Sequence, residues 1–174
     1  MPRTDPILSR RSIRRFTHEK VDEAQVRALL SAGMCAPSAD DERPWHFVVV
    51  TDPSIRLTLS QVSAYTYVVK DSPVAILVCG DESLQKQHGC WMLDCSAATE
   101  NILLEANLIG LGAVWLGIYP VEGRIQKVRL VTGAPQHVVP FSIVAVGHPA
   151  ERKYPISRYD ECRVHYEQWK KSQG

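Results

Sequence analysis

Gly110-Leu111-Gly112-Ala113-Val114-Trp115-Leu116-Gly117-Ile118 decides the fold class, because its glycines follow a helical pattern and precede a strand. In a dinucleotide-binding βαβ unit the order is the reverse: a glycine-rich turn leaves a strand and opens a helix whose amides face a pyrophosphate. Here Gly110-Leu111-Gly112 reads as a helix C-cap and Ala113 to Ile118 as a strand, so that architecture fails on context. Upstream, Trp91, Cys95, Ala98, Ile102, Ala106 and Ile109 form one apolar stripe, which predicts a long central helix from about Gln87 to Ile109. Downstream, a helix over Val121 to Leu130 leads to a strand over Pro140 to Gly147.

Working outward, Pro73 to Cys79 and Trp45 to Thr51 read as largely buried strands. Asp5-Pro6, Asp22 and Asp52-Pro53 each read as an N-cap. They open a short helix to Ser9, a helix carrying Val26, Leu29, Leu30 and Met34, and a helix to about Val62. Residues 63 to 72 suggest a covering loop, and a last helix is expected around Glu161 to Lys171. Helices separate most strands, which implies a sheet covered by helices. No Asn-Gly hairpin signal sets neighbouring strands antiparallel. No repeat or linker divides the chain, so residues 1–174 are expected to form one domain.

A formal charge of +1 with 45% apolar residues excludes a disordered chain and weighs against a nucleic-acid binder, which needs many distributed phosphate contacts. The N-terminal Met-Pro-Arg-Thr-Asp carries no apolar run, and no stretch approaches a membrane span, so a cytoplasmic location without membrane attachment is expected. Cys35, Cys79, Cys90, Cys95 and Cys162 form no CxxC pair and read as reduced thiols, with Cys79 and Cys95 in the core. The histidines show no ligand spacing; His46 and His148 read as structural, and no metal is expected.

The basic excess is local. Arg10-Arg11-Ser12-Ile13-Arg14-Arg15-Phe16 places four guanidinium groups within six residues. Like charges this close repel, so the arrangement suits a phosphate or carboxylate held among them; a solvated basic turn complementing the end of the preceding helix is the plainer reading. No nucleophile elbow, zinc-protease motif or Walker loop accompanies the cluster. A phosphate cradle without its own nucleophile is what a protein carrying a reactive cofactor looks like.

Four blocks resemble, in order, the signatures of the FMN-dependent nitroreductase family. They are Arg10 to Phe16; Ala36-Pro37-Ser38-Ala39 with Pro44-Trp45-His46-Phe47; Gly110 to Gly117; and Gly147-His148-Pro149-Ala150-Glu151. The resemblance implies an α+β nitroreductase-like fold, a central mixed sheet flanked by helices, in an intertwined homodimer with FMN at the subunit interface. It places Arg10, Arg11, Ser12 and Arg14 at the phosphate, ribityl chain and pyrimidine edge of FMN, with Arg158 closing the phosphate site. Arg14 would stabilise the reduced, anionic flavin. Pro37, Ser38 and Ala39 would come from the other subunit. Trp115, Leu116 and Gly117 would pass behind the ring, Gly117 allowing close main-chain approach; on its own, Trp115 reads as a core aromatic.

The sequence departs from the family where Asp41 replaces an Asn and Arg43 a Gln. Asp41 either faces the flavin, disfavouring its reduced anion, or pairs with Arg43. The activity implied is hydride uptake from NADH or NADPH at flavin N5 and two-electron delivery to a small planar acceptor, a nitroaromatic or quinone, by a ping-pong scheme with no catalytic side chain. Alternatives are another flavin reaction on this fold (dehydrogenase, enoate-type reductase or dehalogenase) and a flavin-binding protein without turnover.

Overall fold

The computed structural model describes residues 5–169. Four strands, β1 (Trp45–Val50), β2 (Val74–Asp81), β3 (Gly112–Gly117) and β4 (Val138–Gly147), form one sheet in the order β1-β2-β4-β3. Every neighbouring pair is antiparallel. The mixed character expected from the sequence is therefore confined, among the described residues, to one parallel bridge between Ser12 and Ala113. β2 and β4 are buried at every residue, so helices or loops cover both of their faces. β1 departs from the expected buried strand: it lies at the sheet edge, and His46 and Val49 are exposed.

The described residues also form five α-helices: α1 (Pro6–Ser9), α2 (Glu23–Met34), α3 (Pro53–Ser60), α4 (Trp91–Leu108) and α5 (Glu122–Thr132). α4 packs across all four strands and carries α2 on its back; α5 packs on β4 and meets α3. The predicted stripe of α4 is buried at Trp91, Cys95, Ala98, Ile102 and Ala106. Within the interface, Thr99 Oγ1 and Ser142 Oγ share a buried 3.0 Å hydrogen bond that fixes α4 on β4. The helix begins at Trp91 rather than Gln87, because Gly89 takes a left-handed φ of 80° that breaks the run.

Local chemistry sets the other helix starts. The Asp5 carboxylate accepts from Ile7 N, with Pro6 in the first turn of α1. Asp22 and Gln25 form a reciprocal capping box, with Asp22 Oδ1 accepting from Gln25 N at 2.7 Å and Gln25 Oε1 from Asp22 N at 3.0 Å. Asp22→Ala is expected to cost about 1 kcal/mol of stability, measurable by urea denaturation.

Residues 63 to 72 are more ordered than the sequence suggested. Thr66–Asp71 is a 3₁₀ helix whose Val68 and Val69 are fully buried, so the segment covers the core. The helix expected around Glu161 to Lys171 is absent from its described part, where only Glu161–Arg163 turns, and Lys170 and Lys171 lie outside the described residues. Apolar residues there have no core to face: Val164 and Trp169 remain exposed. No helix among the described residues is long and apolar enough to cross a membrane.

Candidate functional site

The arginine run is an extended segment held between the start of β3 and the chain that follows β4. Ile13 N donates to Ala113 O at 3.0 Å, and Thr17 N to His148 O at 2.9 Å. Glu151, Lys153 and Tyr154 then clamp it. Glu151 Oε1 accepts from Arg14 N at 2.6 Å, Lys153 Nζ donates to Ser12 O at 2.6 Å, and Tyr154 O accepts from Arg11 Nε at 2.8 Å. Burial raises the Glu151 carboxyl, but the Arg14 amide and Lys153 more than offset it, so the group lies below the usual range. The sequence quoted Glu151 within a signature block and gave Lys153 no role. Both partners are about 140 positions from the arginines, beyond any local pattern.

The four guanidinium groups have different fates. Arg10 pairs with Glu100 of α4 at 3.2 Å. Arg11 turns to the main-chain oxygens of Leu8, Arg10 and Tyr154, leaving Nη2 buried and unpartnered. Arg14 and Arg15 are exposed, and among the described residues neither has a carboxylate partner for its guanidinium. The run borders two cavities. Arg10 and Arg11 line a small one of about 180 Å³ with Glu151, Arg152 and Lys153. Arg14 and Arg15 line a cleft of about 920 Å³ with Lys20, Arg56 and Lys70, against one acid, Asp71. A cleft of this size and sign can hold a phosphate-bearing organic ligand.

The Trp115–Gly117 segment offers a different surface. β3 is an edge strand whose outer side is bridged only at Ala113, so no second strand pairs there from Val114 to Gly117 among the described residues. Leu116 is buried, and Trp115 is partly buried with its ring 5.8 Å from that of Phe141, so it does serve as a packing aromatic. Gly117 is exposed, and a Cβ there would meet nothing within 4 Å, which leaves its backbone open to a flat ligand. Arg124 donates to Gly117 O at 3.0 Å and lies 5.8 Å from the centre of the Tyr65 ring. The segment from Tyr65 to Asp71 thus runs from the open end of β3 to the basic cleft.

Pro37, Ser38, Ala39 and Asp41 lie elsewhere. Ala39 N donates to Asp94 in the first turn of α4, whereas Ser9 Oγ accepts from Asn107 in its last turn. Those anchors are thirteen residues apart on one helix, about 20 Å. One chain does not bring the two blocks together. Arg158 is exposed on the extended tail and makes no hydrogen bond or ion pair among the described residues. Asp41 forms a bidentate pair with Arg43 at 2.6 and 2.7 Å, and that hydrogen-bonded guanidinium lowers its carboxyl below the usual range. Of the two readings of Asp41, pairing with Arg43 is the one realised. His46 and His148 face Asp81 and Glu19 at 3.5 and 3.7 Å, and burial raises the thiols of Cys79 and Cys95.

Comparison with known proteins identifies the family. The family model for the nitroreductase family matches residues 7–86 and 57–148. A curated protein of Methanothermobacter thermautotrophicus, "Putative NADH dehydrogenase/NAD(P)H nitroreductase", is 47% identical over 165 residues, covering 95% of this chain and 86% of its own. A crystal structure of a protein of that same name from Bacteroides thetaiotaomicron superposes with a TM-score of 0.91 at 40% identity, over 95% and 96% of the two chains. An FMN-dependent nitroreductase from Clostridium difficile superposes at 0.89 with 26% identity, over 94% and 98%. With the arginine run, the open β3 edge and the α+β sheet all in place, the chain belongs to the nitroreductase family.

Proposed function

We propose that this chain is an NAD(P)H-dependent FMN oxidoreductase acting as a homodimer, and that it delivers two electrons to a nitroaromatic, quinone or similar planar acceptor. The observation that carries this reading is the basic cleft: five Lys and Arg side chains against the single carboxylate of Asp71, reached by the same segment that passes the open end of β3. The names of the relatives supply the cofactor and the donor.

The residues fit the cofactor. Arg14, with Arg15 beside it, has a guanidinium free to donate to FMN oxygens, at the phosphate or at the pyrimidine edge where it would stabilise the reduced anion, and the buried, unpartnered Nη2 of Arg11 is a further donor on the same run. Arg10 would share its charge between ligand and Glu100. The unpaired outer edge of Trp115, Leu116 and Gly117 would offer main-chain N–H groups to the ring. Bound FMN would supply hydride acceptance and two-electron transfer; the side chains position it and exclude water. Pro37, Ser38, Ala39 and Asp41 would complete the site of a second copy, and Arg158 would reach a phosphate through the tail. Exposed Met34, Leu93, Leu108, Tyr166 and Trp169 supply the apolar surface that such a dimer buries.

The test is the visible spectrum of FMN-reconstituted, desalted protein, followed by anaerobic NADH and then NADPH. We expect retained flavin bands that bleach with at least one nucleotide, and parallel double-reciprocal lines in turnover with menadione. Loss of all flavin on desalting overturns the reading. Retained flavin that neither nucleotide bleaches assigns a flavin protein without this donor chemistry.

A further inference from the structure

Glu42 and Asp94 are two acids, 7% and 6% exposed, that the proposed chemistry does not use. Each has one oxygen satisfied by main-chain amides. Asp94 Oδ1 accepts from Ala39 N at 3.1 Å, and Glu42 Oε2 accepts from Lys86 N at 2.6 Å and Gln87 N at 3.2 Å. The other two oxygens, Asp94 Oδ2 and Glu42 Oε1, are buried without a donor. Ala39 joins the two residues: its N–H is held by Asp94 and its carbonyl accepts from Glu42 N at 2.9 Å, which sets the Glu42 carboxyl against that of Asp94 and raises the latter. Two adjacent buried carboxylates do not both stay ionised, and a buried lone pair without a donor is costly. One proton between them removes both problems.

No cation takes the proton's place among the described residues. Lys86 Nζ donates to the main-chain oxygen of Asp40, Gln87 Nε2 binds Asp40 Oδ2, and Arg43 is engaged by Asp41. On α4, the adjacent Cys95 thiol is kept neutral by burial. Burial, opposed by the Ala39 amide and reinforced by Glu42, holds the Asp94 carboxyl above the usual range. The loop being held is strained: Asp40, Asp41 and Arg43 have φ of 46°, 53° and 44°, left-handed values unfavourable for non-glycine residues. It persists only if its surroundings fix it.

We propose that Asp94 and Glu42 share one proton, and that this carboxyl–carboxylate hydrogen bond clamps Pro37–Arg43 in the strained shape that completes the flavin site of a partner subunit. Both are then positioning residues; the role of the loop, though not the shared proton, rests on the function proposed above. The sign of the pH effect follows. A carboxyl raised in the folded state binds its proton longer than in the unfolded chain. The stability it contributes is full below the ordinary carboxylate value and is lost as pH rises through the raised one.

The experiment compares wild type with Asp94→Asn, and with Glu42→Gln as a second variant, from about pH 4 to pH 9. The Asn amide still accepts from Ala39 through its oxygen and gives Glu42 a permanent donor. We expect the unfolding midpoint of wild type to fall by several degrees relative to Asp94→Asn as pH rises, with Glu42→Gln equally flat. Infrared spectra should show a protonated-carboxyl band in wild type that both variants lack. The flavin dissociation constant of wild type should rise several-fold over the same window while that of Asp94→Asn stays level. Parallel stability profiles and no carboxyl band overturn the shared proton. Flat flavin affinity in both proteins overturns the role of the loop. Absence of flavin binding at every pH overturns the functional reading and the loop's role with it, while the stability and infrared data still judge the proton.

Discussion

Replacing Arg14 with alanine is expected to raise the FMN dissociation constant about 10- to 100-fold and to leave the unfolding midpoint unchanged, as read by flavin fluorescence titration and thermal denaturation. A hydrogen bond to a charged group contributes about 1.5–3 kcal/mol, and each 1.4 kcal/mol is tenfold in affinity. Arg14 can deliver that full amount because, among the described residues, its guanidinium has no carboxylate to release and its polar contact is the backbone N–H donated to Glu151. Folding loses little, since the side chain is exposed. Arg10→Ala should cost less affinity, because Arg10 already shares its charge with Glu100 at 3.2 Å. If the order is reversed, or if Arg14→Ala retains flavin as tightly as wild type, FMN is not held by the Arg14 side of the run.

That ranking could not have been read from the run itself, where four arginines look alike. What separates them is contact with Glu100, Tyr154 and Glu151, each far along the chain. The legible features were those decided within a few residues. Asp5-Pro6 and Asp22 cap their helices as read, and the α4 stripe is buried as read from Trp91 to Ala106. Hydrophobic runs marked all four strands, but a run cannot say whether a strand is central or at an edge; β1 has β2 on one side only and keeps His46 exposed. Strand direction was equally hidden, since pairing is set by where the chain returns after α3, α4 and α5. The Asp41–Arg43 pair was one of two open readings because it spans two residues, whereas Glu42 and Asp94 meet across fifty-two and left no sequence signal.

Among the described glycines, Gly80→Ala is expected to be the most damaging added methyl group, at about 3 kcal/mol, or a midpoint about 6–12 °C lower. A Cβ at Gly80 would sit 2.2 Å from Trp91 Cε3 and 2.8 Å from Cζ3. The indole has nowhere to go. It is 3% exposed and wedged edge-on against Tyr119, at 5.0 Å and 73°, and Phe141, at 6.2 Å and 82°. Nor can Gly80 retreat, because it is paired with Trp45 of β1 and Val139 of β4 in the middle of the sheet. Any relief must displace the start of α4, since Trp91 is its first residue. One turn on, Asp94 holds Ala39, so displacement there should loosen Pro37–Arg43 and weaken flavin binding as well as folding. Gly123→Ala is the control: Gly123 lies in α5, its Cβ would meet nothing within 4 Å, and alanine there should be neutral or stabilising by up to about 1 kcal/mol. Adding Trp91→Leu to Gly80→Ala should recover part of the loss, because the indole ring is the obstacle. A simple sum of the two single effects would instead mean that the damage comes from the strand backbone.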